Sequence, residues 1–567
     1  MKNHFLLVIS MDSLAIDRNM ILYFVILTLS FSQLAKCGDI CIDLANDHKI
    51  SFLTVDKEDW STSSYPVCAS FENQINATGW ARLHVWTKPE SNYNDSTLAY
   101  LAGYIEGYLT KDLINMHYDN LWEKYCEGIK AAAFCQRAFN FFAQNEAYIE
   151  QEAIDKRNTD PYWHQVGLIL DQLTGMEEAI NSKSSYQPGY RVNTTGKVYL
   201  LNAIVDLMDL ESALNKTVKS LAVGQSFCSS LVRYTGDDLL IGHNSWIWFT
   251  FMLRVLKKYE FNFKQVQSSD KTVPGSTISM SSYPGIIFSI DDFYIISSGL
   301  AVTETTNGNH NATSLKLIRP KGCVLTMIRT MVANRLARDG KSWAQNFERY
   351  NSGTYNNQFI IVDYSKFVPG STRNYTNLLW IVEQMPGSMV YGDMSSILVK
   401  NGYWASYNIP YFQKTYQIAG YPDLVKQYGD FYVHEQNPRA KLFRRKHTEA
   451  YDHKSLLQLL RYNNYTQDPE SRCNCTPPYS ASMSIACRGD LNDPNGLYHI
   501  PSQGVINEAA VDAKVTSFEL FAKQQMYAIS GPTYDNVPPF AWSNFTMKDK
   551  LVHKGHPDLW VFKPVYF

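Results

Sequence analysis

Cys228 opens a strand-like run, Cys228-Ser229-Ser230-Leu231-Val232-Arg233-Tyr234, that turns over Thr235-Gly236-Asp237-Asp238 and returns as Leu239 to Trp246. Two apolar strands around a Gly-Asp-Asp tip predict a hairpin, which carries His243 and Asn244 back beside the cysteine. A thiol with polar neighbours is suited to attack on an acyl carbon. The working expectation is that the peptide bond before Cys228 is cut, so that Cys228 becomes the first residue of a mature subunit. Its new α-amino group, with a reference pKa of roughly 7.7 to 8.0, then stands beside the thiol as its base. An acidic compartment requires that value to be lowered. A cysteine in a secreted chain is ordinarily bridged or buried, so the context of Cys228 has to carry the assignment.

Other chemical signatures are missing or weak. The chain has no G-x-S-x-G elbow, no H-E-x-x-H and no Walker loop, and His434-Glu435 lacks a second histidine. Cys473-x-Cys475 has no second ligand pair at zinc spacing. Arg488-Gly489-Asp490 is read as a structural turn. Asp291 and Asp292 are adjacent, so their side chains point apart; a turn tip or one buried hydrogen-bonding aspartate is expected rather than an acid–base pair.

The elements that must position Cys228 change character at that residue. Before it, Asp39 to Pro89 alternates like strand material. Helical spacing then covers Thr97 to Leu113, Trp122 to Phe142, a third segment with Val166, Ile169, Leu170 and Leu173, and a fourth from Ile204 to Leu214. The segments Asn181–Tyr190 and Asn215–Ser220 read as exposed loops open to processing. After the hairpin we expect a helix over Trp246 to Lys258, and a second hairpin from Tyr283–Ile290 through Asp291-Asp292 into Phe293–Thr306. Two helices, Val324 to Arg338 and Lys341 to Tyr350, then precede the strand Gln358–Asp363. Strands, paired helices and further strands describe a layered α+β fold.

Composition sets the class. Of 567 residues 45% are apolar and 19% charged, with net charge -2, which permits a large core and argues against nucleic acid as a partner; the basic run Lys441–His447 reads as a solvated element. Residues 1–37 read as a signal peptide whose apolar run, Met20 to Phe31, is too short to span a bilayer. Sequons at Asn76, Asn94, Asn193, Asn215, Asn311, Asn374, Asn464, Asn474 and Asn544 fit secretion. Among ten cysteines the short spacings favour Cys126 with Cys135, and Cys473 with Cys475 or Cys487, and leave Cys323 as an inert buried thiol.

Several motifs together resemble the phospholipase B-like family of lysosomal or secreted N-terminal-nucleophile hydrolases, from about Tyr100 to the carboxyl end. They are the Cys228-Ser229-Ser230-Leu231 entry, Gly242–Trp246, Ser289–Tyr294, Ser298-Gly299-Leu300, Glu304-Thr305-Thr306, Tyr350–Gln358, Trp404–Pro410 and Pro438–Arg445. The resemblance implies a four-layer αββα sandwich and maturation at Phe227–Cys228 into a helix-rich fragment, 38–227, and a strand-led fragment, 228–567, that stay packed as one body. It also implies that His243 and Trp246 line the nucleophile Cys228, that Thr306 lies across from it, that Asn408 donates to the oxyanion and that Arg439 is a charge partner. Bile-salt-hydrolase-like relatives carry arginine and aspartate where this chain has His243 and Trp246, which counts against their amide specificity.

The expected function is hydrolysis of fatty acyl chains from glycerophospholipids through a thioester on Cys228, in a secreted or lysosomal setting. Its partners are a phospholipid or other acyl substrate and, transiently, a membrane surface. No cofactor and no metal are expected. The alternatives are an amidase for small amides or peptides, and a binding glycoprotein with little turnover.

Overall fold

The computed structural model describes residues 39–45, 48–56, 59–217 and 227–567. The expected signal peptide, Cys37 and most of the loop before Cys228 lie outside the described residues.

The fold is α+β, with two large sheets and helices. The first sheet has eleven strands and runs, edge to edge, Ser388–Asp393, Leu379–Met385, Asn357–Asp363, Leu300–Thr306, Tyr294–Ile296, Thr277–Ser282, Arg254–Glu260, Trp80–Thr87, Val67–Gln74, Asp39–Leu44 and Ile50–Val55. Every pairing is antiparallel except that of Trp80–Thr87 with Arg254–Glu260, which joins chain from either side of Cys228. The second sheet runs Tyr403–Ser406, Phe227–Tyr234, Leu239–Trp248, Asp512–Thr516, Tyr527–Ser530 and Val565–Tyr566, with Glu508–Ala510 also on Leu239–Trp248.

Alternation along these strands sorts the apolar residues into separate cores. Trp80, Leu256, Ile295 and Ile360 of the first sheet meet Val232, Ile241 and Ala528 of the second. The other face of the first sheet packs on the helices Asp95–Trp122, Pro161–Ile180 and Thr326–Leu336. Leu231, Leu240 and Val515, on the other face of the second, pack on Pro438–Lys446 and His453–Leu460. The first two helices touch backbone to backbone: a Cβ on Gly103 would lie 1.9 Å from the Gln172 carbonyl oxygen, and one on Gly175 would lie 2.0 Å from that of Tyr100. Only glycine permits that approach.

Several expected elements differ. Trp246 to Lys258 is not helical: the strand continues to Trp248, a 3-10 turn covers Phe249–Phe251 and a new strand starts at Arg254. This run is buried on every side, and its aromatic and β-branched content outweighs an accidental helical spacing. The expected strand Tyr283–Ile290 is a buried loop, and the strand before it is Thr277–Ser282. Pro284 cannot donate to a ladder, and the chain bends at Gly285 and Asp292, both at positive φ. Asp291 and Asp292 are both buried, so neither is a tip. The helix expected across Trp122 breaks after that residue and restarts at Ile129.

Disulfides join Cys41 to Cys68, Cys126 to Cys135 and Cys473 to Cys475, while Cys228, Cys323 and Cys487 are free and buried. Bridging removes Cys473 and Cys475 as zinc ligands. Arg488 is buried and paired with Asp490, as a structural turn requires. Among the described residues no helix is long and apolar enough to cross a membrane.

Candidate active site around Cys228

The hairpin register places Cys228 opposite Ser245, Ser229 opposite Asn244 and Ser230 opposite His243. Paired residues share a face and neighbours alternate, so Cys228, Ser230, His243 and Ser245 face the first sheet with Val232 and Ile241. Ser229, Asn244 and Trp246 face the opposite way, where the Trp246 and Asn244 side chains both donate to the Ile485 carbonyl. Trp246 therefore does not stand on the thiol's face.

Two distant residues clamp the Cys228 backbone. Its N–H donates to Asn408 Oδ1 at 3.0 Å, and its carbonyl accepts from Arg439 Nη1 at 2.6 Å. Arg439 also donates to Asn408 Oδ1 at 2.8 Å and to the Tyr407 carbonyl at 2.7 Å, and its guanidinium lies 4.3 Å from the Trp246 ring centre. Burial pulls the Arg439 value down to about 10, which leaves it a cation at neutral pH. Asn408 Nδ2 donates to the Thr306 carbonyl at 2.7 Å. Asn408 follows the strand Tyr403–Ser406 at φ 69, a left-handed position that asparagine tolerates better than most residues.

The thiol side is different. Cys228 Sγ lies 3.9 Å from Glu304 Oε1, and the ligand atoms of Cys228, His243 and Glu304 all fall within 4.8 Å of one another. Burial, then the Glu304 carboxyl, pushes the Cys228 thiol well above its ordinary value. Burial, then Asp292 and Asp291, does the same to Glu304. His243 is fully buried beside the Glu304 backbone carbonyl, and burial with the nearby Lys514 holds it well below the usual histidine value.

Beside it lies a buried charge network. Lys514 Nζ contacts Asp291 at 2.9 Å and Asp512 at 3.0 Å, Arg254 pairs with both aspartates, and Lys514 also donates to Ser245 Oγ. Burial alone would raise the Asp291 carboxyl, but Arg254 and Lys514 hold it far below the usual carboxylate range.

A cavity of about 60 Å³ opens on the other side of the clamp, lined by Trp246, Tyr407, Asn408, Arg439, Met483 and Glu508 among others.

Comparison with known proteins matches this chain, over residues 67–567, to the family described as phospholipase B. The chain belongs to the phospholipase B family. It is 43% identical over 503 residues to each of two proteins named "Putative phospholipase B-like 2", from Mus musculus and Homo sapiens, covering 88% of this chain and 84% and 85% of theirs. It is 37% identical over 514 residues to "Phospholipase B-like protein B" of Dictyostelium discoideum, covering 88% of this chain and 85% of that one.

Within this phospholipase B family chain, the expected residues gather unevenly. Asn408 and Arg439 touch the Cys228 backbone, His243 approaches its thiol, Thr306 meets Asn408 through its carbonyl, and Trp246 meets the thiol with its backbone N–H while its side chain reaches the site through Arg439. Sequence reasoning missed Glu304, Lys514, Arg254 and Asp512 as neighbours. Their signal is a charge inside an otherwise apolar strand, such as Lys514 between Ala513 and Val515.

Proposed function

We propose that the chain is a phospholipase B-like acyl hydrolase of the N-terminal-nucleophile type, with a four-layer αββα fold and Cys228 as nucleophile after cleavage at Phe227–Cys228. The observation that carries this reading is the hold on the Cys228 backbone, N–H to Asn408 Oδ1 and carbonyl to Arg439. A nucleophile that is to become an amino terminus needs its nitrogen and carbonyl fixed by groups outside its own strand. Helices, two facing sheets and further helices, with their three intervening apolar cores, support the layered fold.

Cleavage proceeds by attack of the thiol on the Phe227 carbonyl, release of the Cys228 nitrogen as an amine and hydrolysis of the resulting thioester. The amine stays on Asn408 Oδ1 and takes the thiol's proton. The second Nδ2 proton of Asn408 is then available to the oxyanion. Attack on the substrate ester expels the alcohol, and water releases the acid from the enzyme thioester. Glycerophospholipids are the substrate class and a secreted or lysosomal lumen the setting. Contact with the membrane surface would then be transient.

The narrowness of the cavity favours a second substrate reading. At about 60 Å³ it is small against the roughly 300–1,000 Å³ of ordinary ligand sites, which suits small amides or peptides better than a long acyl chain.

The test is amino-terminal sequencing of the purified protein, followed by assay of wild type and Cys228→Ala on phosphatidylcholine vesicles and on short acyl amides. A fragment starting at Cys228, and acid release that Cys228→Ala abolishes, are expected. Unchanged release by that variant sinks the reading, and turnover of amides alone selects the second substrate class.

A further inference from the structure

We propose that Cys228, His243 and Glu304 form a binding site for a zinc ion, which blocks the nucleophile while it is bound. Cys228 and Glu304 are separated by 76 residues in the sequence, so no ligand spacing announces the site. It is assembled only when the hairpin Phe227–Trp248 packs on the strand Leu300–Thr306.

The donor set is the first argument. Thiolate sulfur, imidazole nitrogen and carboxylate oxygen are the three ligand types zinc takes, at about 2.0–2.3 Å. Tetrahedral angles at those lengths put neighbouring donors about 3.5 Å apart. The Sγ to Oε1 separation is 3.9 Å and all three donor atoms lie within 4.8 Å of one another, so small side-chain rotations close the site.

His243 supplies the second, independent argument. The Glu304 backbone carbonyl can serve one ring nitrogen of this fully buried imidazole, which leaves the other for a ligand, and one nitrogen lies within this donor group. A metal would satisfy it.

Charge balance is the third. One divalent ion with a thiolate, a carboxylate and a neutral imidazole sums to zero, the total a buried site tolerates. The neighbouring Lys514 and Arg254 are already matched by Asp291 and Asp512. Binding displaces the thiol proton to solvent, so acid weakens it. With its sulfur lone pair on the metal, Cys228 cannot attack Phe227 or a substrate. That last consequence rests on the function proposed above; the binding itself does not.

Because the site is buried, the full chain is expressed in zinc-supplemented medium so that metal can enter during folding, and the purified protein is analysed for zinc. A parallel preparation loaded with cobalt(II) is examined for the near-ultraviolet sulfur-to-cobalt charge-transfer band. Near-stoichiometric zinc, a charge-transfer band, loss of both in Cys228→Ser and their retention in Cys323→Ser and Cys487→Ser are expected. The isosteric Glu304→Gln, with folding checked by near-ultraviolet circular dichroism, should weaken binding by more than the ~10–100-fold typical of losing an outer-shell partner. Trace zinc in wild type, metal retained in Cys228→Ser, or affinity unchanged in folded Glu304→Gln overturns the site. Stoichiometric metal in a protein that still hydrolyses no acyl substrate after a chelator has removed the metal supports the site and counts against the hydrolase reading, so the two failures are separable.

Discussion

The Cys228 N–H donates to Asn408 Oδ1 at 3.0 Å across 180 residues of sequence. The same oxygen accepts from Arg439, so one amide aligns the nitrogen and, through the guanidinium, the carbonyl of the nucleophile residue. Asn408→Ala removes that acceptor and the donor to Thr306, and places a side chain less tolerant of positive φ at φ 69. Processing before Cys228 is expected to slow by about 10²–10³-fold, the usual scale for losing one preorganised polar group. Asn408→Asp keeps an acceptor and should process faster than Asn408→Ala. Fragment formation followed by gel and amino-terminal sequencing measures both, and wild-type rates in Asn408→Ala refute the role.

The two fragments expected from cleavage should remain together without a covalent link. Among the described bridges, two lie before Cys228 and one after it, so none crosses the cut. Holding them are the seven-residue parallel ladder of Trp80–Trp86 with Arg254–Glu260 and the buried Lys257–Glu106 pair at 2.6 Å. Processed protein should run as two bands in denaturing gels without reductant, yet elute as one species in native size exclusion. A single band that only reductant resolves would show a crossing bridge.

The contribution of Glu146 and Asp171 to stability should fall as pH rises from acid to neutral. Burial, helped by Glu150, pushes the Glu146 carboxyl up to about 8, and burial, opposed by Arg157, pushes Asp171 up to about 7. Neither Glu146 oxygen has a hydrogen-bond partner. Folded-state values above the unfolded ones mean that the folded chain holds protons which the unfolded chain releases. The contribution is therefore complete below about pH 4 and lost as pH climbs through 7 to 8, at no more than about 1.4 kcal/mol per pH unit for each group. Glu146→Gln should leave the melting temperature unchanged near pH 4 and raise it at pH 8. An equal shift at both pH values would show that the carboxyl does not titrate on unfolding.

The hairpin that carries Cys228 was readable because its apolar strands flank a Gly-Asp-Asp tip, and the helices Thr326–Leu336 and Gly340–Glu348 were readable from their spacing. Trp246 to Lys258 was misread because a stretch buried on all sides loses the polar face that distinguishes helix from strand. Asn408 and Arg439 entered only through family resemblance, since no local pattern links residues 180 and 211 positions from Cys228. Glu304 and Lys514 were overlooked for a physical reason: a charge in a strand ordinarily faces water, and only the packing of two sheets shows that these face each other's neighbourhood. The face of Trp246 follows from parity along the hairpin, because residues 228 and 246 pair with 245 and 227 and so point oppositely.

Lys514 and Asp291 should prove coupled. Lys514 is fully buried between Asp291 and Asp512 and reaches Ser245 Oγ, directly across the ladder from Cys228. Lys514→Met leaves two buried carboxylates with only Arg254 between them, and is expected to cost about 3–5 kcal/mol of stability. Asp291→Asn leaves Lys514 and Arg254 sharing only Asp512 and should cost a similar amount. The double variant removes one charge of each sign, so its cost should fall short of the sum by about 0.5–3 kcal/mol, the range for residues in contact. Denaturant unfolding of the four proteins gives the coupling. Strict additivity would mean that the network is screened and does not act as one unit, and the Ser245 anchor opposite the nucleophile would then depend on Lys514 through its single hydrogen bond alone.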